Sequence, residues 1–141
     1  MSRLSAIVAE RPAPLSGDSR RQTRPSPSMD LDRALAFSRY AQRTLAAQPA
    51  FADWLVAHLD APFDWDVPRR DITDAVDSGD AAALARTLRQ WRAQLMVHTI
   101  ARDLTRRADL AEVCTAVTTL ADVAIDAAVR LHHRALAADF G

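Results

Sequence analysis

No proline occurs after Pro68, and of three glycines only Gly79 and Gly141 lie beyond it. From Asp80 to Phe140 the backbone therefore meets neither residue that most often interrupts a helix. Alanine and leucine, the leading helix formers, are abundant there, whereas β-branched residues are thinly scattered. So few glycines cannot supply the turns of a β fold. The fold class this implies is all-α, ending in two long antiparallel helices.

The apolar spacing places helices at about 30–47, 49–60, 71–77, 80–107 and 109–139, together forming a helical domain over 29–141. Ser28 or Asp30 can cap the first. Pro49 suits the first turn of the second, and Ser78-Gly79-Asp80 combines a helix stop with a new N-cap. Residues 60–70, with Pro62 and Pro68, read as a loop. In the 80–107 helix, Leu84, Leu88, Trp91 and Leu95 form one stripe. Met96, Ile100 and Leu104 form an adjacent one with Ala93, giving a face broader than a single helix contact needs. In the last helix Asp126 and Arg130 are spaced for an i,i+4 ion pair, worth about 0.3–0.5 kcal/mol on a surface. Residues 1–28 hold four prolines, many serines and five arginines against two acids. Such a composition buries too little apolar surface to offset ordering entropy and reads as a disordered tail.

Alanine supplies 29 residues, so large core formers are sparse and helices must pack closely. Eighteen basic residues, all arginine, balance eighteen acids, which gives no global attraction to nucleic acid or an anionic membrane. No apolar run approaches membrane-spanning length. A single cysteine excludes an internal disulfide, and a cytoplasmic location is expected.

Four features imitate chemistry. Cys114 falls beside Val113 and Val117 on an apolar face and reads as a small buried hydrophobe without an activating base. His132 and His133 diverge by about 100° on a helix, and His58 and His98 lack a ligand four residues away, so zinc is not expected. Asp64-Trp65-Asp66 imitates a paired-aspartate metal motif, but Pro62 and Pro68 flank it and favour loop and capping roles. Arg86, Arg89 and Arg92 read as a solvated helix face. No catalytic, cofactor-binding or metal-binding residue is assigned.

The wording of the long helices is more specific. Leu88-Arg89-Gln90-Trp91-Arg92, Met96, Ile100-Ala101-Arg102-Asp103-Leu104, Asp109-Leu110-Ala111-Glu112-Val113 and Leu120-Ala121-Asp122-Val123-Ala124-Ile125 resemble the bifunctional glutamine synthetase adenylyltransferase/adenylyl-removing enzymes. The likeness is to the helical stretch preceding that family's first nucleotidyltransferase domain, and Phe37-Ser38-Arg39-Tyr40 through Trp54-Leu55 resembles its opening helices. It extends over about residues 31–141. Arg106-Arg107 departs from the pattern, because relatives commonly place a helix-ending glycine there. The family's Gly-rich segment and paired-aspartate site are not in this sequence.

The resemblance implies a non-catalytic N-terminal portion, from a truncated product or an incomplete reading of a longer one. It implies magnesium and ATP for the full-length enzyme but none bound by this chain. Its implied partners are the missing catalytic domain and glutamine synthetase, with neither nucleic acid nor membrane. Leu84, Leu88, Trp91, Leu95, Met96, Ile100, Arg102, Asp103 and Leu104 are the structural or interface candidates. The alternative is an independent helical interaction module.

Overall fold

In the computed structural model, which describes the backbone from residue 27 and side chains from residue 30, six helices follow one another. They are α1 (Pro27–Leu35), α2 (Arg39–Ala47), α3 (Pro49–His58), α4 (Asp66–Asp77), α5 (Ala81–Leu104) and α6 (Leu110–Phe140). No strand occurs among the described residues. The expectation for residues 1–26 lies outside them.

Four boundaries differ from the sequence expectation, the first being that α1 begins at Pro27, inside the stretch read as a tail. The helix expected over 30–47 is two helices, because Ser38 is extended and its hydroxyl accepts from the Ala41 N–H at 3.2 Å. That hydroxyl satisfies one of the orphan donors of a new helix start. The break lets Leu31 and Leu35 of α1 and Ala41 of α2 reach one core. Ser28 lies inside α1 and is not its cap.

Helix α4 begins at Asp66, five residues before the expected start, and takes Pro68 into its first turn. A proline there forfeits no hydrogen bond, since first-turn N–H groups lack helical acceptors anyway. The 60–70 loop shrinks accordingly. Asp64 Oδ1 accepts from the Asp66 N–H at 2.9 Å, so this aspartate serves the helix entry.

Helix α5 stops at Leu104, short of 107. Arg106 adopts φ 58°, the Arg106 N–H donates to the Asp103 carbonyl, and the Arg107 N–H donates to the Arg102 carbonyl. This is a Schellman closure with arginine in the left-handed position that glycine usually fills. Asp80 and Asp109 cap α5 and α6 through Ala82 and Glu112 N–H groups, both at 2.8 Å.

Helix α5 runs through two cores. One gathers Leu31, Leu35, Ala41, Phe51, Leu55 and Leu59 from α1–α3 and the residue after it, against Val97 and Ala101. The other joins Ile72, Ala75 and Val76 of α4 to Leu84 and to Ala127 and Leu131 of α6. Leu84 near the start of α5 meets the far half of α6, while Arg102 near its end meets Glu112 at the start of α6. The two long helices are thus antiparallel, as their spacing predicted. Asp126 and Arg130 pair at 3.7 Å.

Cys114 departs from expectation: it is exposed. The buried side of α6 is the one carrying Ala127 and Leu131, and the apolar residues running past Cys114 lie on a second side that α4 and α5 do not cover.

Candidate functional site

Side chains four residues apart on α5, His98 and Arg102, project to the C-terminal end of α3. A helix end leaves carbonyls without intrahelical donors and carries partial negative charge. Here His98 Nε2 donates to the His58 carbonyl at 3.0 Å, and Arg102 Nη1 donates to the Leu59 carbonyl at 2.7 Å. The carbonyl acceptor fixes the Nε2–H tautomer.

Arg102 is only 3% exposed, and its remaining nitrogens are also engaged. Nε reaches Glu112 Oε1 at 2.6 Å, while Nη2 reaches Glu112 Oε2 at 2.9 Å and the Arg107 carbonyl at 3.0 Å. One guanidinium therefore ties α3, α5, the α5–α6 turn and α6 together. Arg107 adds Asp60 at 2.7 Å across the same junction. Phe63 and Trp54 pack beside His98, with ring centroids 5.6 Å from it in each case.

Electrostatics follow from this packing. The hydrogen bond from Arg102 holds the Glu112 carboxyl below the usual carboxylate range, against the opposing effect of partial burial. Burial pushes the His98 pKa down, with Arg102 adding to that, and the His58 carbonyl pulls the other way. Glu112 is committed as an ion-pair acceptor and His98 as a neutral donor to backbone. This arrangement locks a junction: Arg102 holds both oxygens of its acid, and its imidazole gives the Nε2–H to a backbone carbonyl.

The nine candidates from sequence divide by depth. Leu84 and Leu95 are buried, and Leu88 and Trp91 pack on the α4–α6 core. Trp91 Nε1 also donates to Asp71 Oδ2 at 3.2 Å. Ile100 packs on the α1–α3 core, Met96 is half-buried, and Asp103 and Leu104 are exposed. The breadth of α5 is therefore taken up within the chain by helices on both sides. Neither the seat of His98 on the α3 end nor the grip of Arg102 on Glu112 follows from the apolar spacing. The one available signal was a histidine and an arginine at i,i+4 on an otherwise apolar side.

A family model described as glutamate-ammonia ligase adenylyltransferase matches residues 28–141. The chain belongs to this family. It is 40% identical over 103 residues to the bifunctional glutamine synthetase adenylyltransferase/adenylyl-removing enzyme of Nitrosomonas europaea, a match covering 72% of this chain and 11% of that protein. The enzyme of the same name from Aromatoleum aromaticum is 32% identical over 128 residues, covering 84% and 13%. That from Pseudomonas aeruginosa is 45% identical over 65 residues, covering 46% and 7%. The chain thus spans about a tenth of the length of these adenylyltransferase relatives. No solved structure matches. Among the described residues, no helix is long and apolar enough to cross a membrane.

Proposed function

We propose that residues 28–141 are a non-catalytic helical scaffold of the adenylyltransferase/adenylyl-removing enzyme. In this role the chain supports reversible AMP transfer on glutamine synthetase without performing it. The observation that carries the reading is the Arg102 junction inside a segment matched throughout by the family. Its charged groups are spent on joining four parts of the fold, which is what a scaffold requires.

Magnesium and ATP are implied for the whole enzyme. Among the described residues no three histidines, cysteines or carboxylates converge on a point that could hold a metal. Of the paired aspartates Asp64 and Asp66, Asp64 accepts from the Asp66 N–H at the entry of α4. In this reading the metal belongs to the catalytic remainder of the enzyme, and no step is assigned through it here. The partners proposed are the catalytic remainder of the enzyme and, through it, glutamine synthetase.

The purified chain, incubated with glutamine synthetase, ATP and magnesium, should incorporate no AMP. With adenylylated glutamine synthetase and phosphate it should release none. Turnover by the chain alone would overturn the scaffold reading. A second reading, an independent helical interaction module, is favoured by the uncovered apolar side of α6.

A further inference from the structure

Among the described residues the two cores share no helix except α5. One closes on Val97 and Ala101 in its second half, the other on Leu84 in its first. Helices α4, α5 and α6, with 12, 24 and 31 residues, meet in the second core. Helices α1, α2 and α3 have only nine or ten residues each, fewer than the ~12–15 a helix needs to persist alone. Away from α5 they have no core to join, so they leave it together.

What holds α1–α3 across this seam, besides their own core, is polar and aromatic. His98 and Arg102 donate to the His58 and Leu59 carbonyls, and Arg107 holds Asp60. Phe63, between α3 and α4, sits among Trp54, His98 and Trp91, with ring centroids 6.2, 5.6 and 6.4 Å away. Parting at the seam leaves Arg102 on both Glu112 oxygens, because α5 and α6 stay together. The buried guanidinium therefore keeps its partner. His98 is different. It is 1% exposed and faces His58 of α3, Arg102 of its own helix and Glu112 of α6. The one carboxylate among them is already held by Arg102, so a cation on His98 is costly in the closed form and finds water in the open one.

We infer that α1–α3 form a hinged cap, residues 27–59, that opens as one unit from a three-helix frame of α4–α6, with residues 60–65 as the hinge and His98 as an acid-sensitive catch. Opening bares Val97 and Ala101 of α5 while the frame stays folded. The fold thus carries a device by which acidity changes the face that α5 presents. It is built from the chain's interior contacts and stands whether or not the segment serves as a scaffold.

Amide hydrogen exchange of the full chain in low urea tests this. Amides of α2 and α3 should share one opening, easier and with a smaller urea slope than the opening reported by the middle of α6. Ile72→Ala, in the frame, should raise exchange in α4 and α6 by about thirtyfold or more, as expected for a lost core isoleucine. It should leave α2 and α3 unchanged, because the frame is folded on both sides of the cap's opening. If that variant does not fold, Leu131→Ala in the same core gives the same comparison. Lowering the pH from about 7 to about 5 should raise cap opening, corrected for intrinsic exchange, by up to about tenfold per unit. His98→Gln should abolish that rise. Equal urea slopes, with every helix responding alike to the frame variant, would overturn the inference, since the two cores would then open as one. A cap opening indifferent to pH, or a rise that persists in His98→Gln, would overturn the role of His98 as the catch.

Discussion

Arg102 on α5 grips both carboxylate oxygens of Glu112 on α6, at 2.6 Å and 2.9 Å, while donating to carbonyls of Leu59 and Arg107. Planar geometry makes this possible, because three nitrogens in a fixed fork serve four acceptors at once. The Glu112 side chain is 30% exposed, so the pair sits at the edge of the core.

Glu112→Ala should destabilise the fold by about 2 kcal/mol. Removing one partner of a fully buried ion pair costs about 3–5 kcal/mol, and the partial exposure of Glu112 lessens that. Arg102→Lys should also destabilise despite keeping its charge, since one ammonium cannot reach four acceptors in three directions. Urea denaturation of both variants measures this. Unchanged midpoints would mean the junction does not hold the helices together.

Acid should weaken the fold in two stages. His98 is disfavoured as a cation when folded, so the unfolded chain takes up its proton first. Stability from this group is complete above the unfolded value of about 6.5 and declines as pH falls below it. Glu112 is held below its ordinary range, so its contribution is present above about 4.3 and is lost as pH falls through its lower folded value. Urea midpoints measured from pH 8 to strongly acidic conditions should trace both stages. His98→Gln, which can still donate to the His58 carbonyl, should remove the first and leave the second.

Arg106→Gly should raise stability by about 0.5–1 kcal/mol. A left-handed backbone costs an L-residue about 1–2 kcal/mol, and the greater unfolded freedom of glycine returns part of that gain. Arg106 is exposed at φ 58°. Thermal unfolding should shift upward by a few degrees, and a fall would show that the arginine side chain contributes there.

Much of the fold was legible because its punctuation is local. Pro49, Gly79 and Asp80 mark helix ends wherever they fall, and the proline-free run after Pro68 requires long helices. The break at Ser38 was hidden because apolar spacing continues across it, and the early start of α4 because Pro68 looked like a loop residue. The junction was less legible. His58 and Leu59 lie 40 and 43 residues from the side chains that satisfy their carbonyls, and no periodicity encodes a contact at that range. Cys114 was misplaced for a related reason. An apolar face is visible in one helix, but how much of it neighbours cover depends on the whole packing.

If this segment is a scaffold of the family enzyme, it should be exchangeable between relatives without loss of activity. Residues 28–141 would replace their counterpart in the Nitrosomonas europaea enzyme, and AMP transfer to and from glutamine synthetase would be measured. Both activities should be present in the hybrid, with Arg102→Ala in the exchanged segment reducing them as it loosens the fold. A hybrid that folds, shows its full helical content and transfers no AMP in either direction would contradict the scaffold reading.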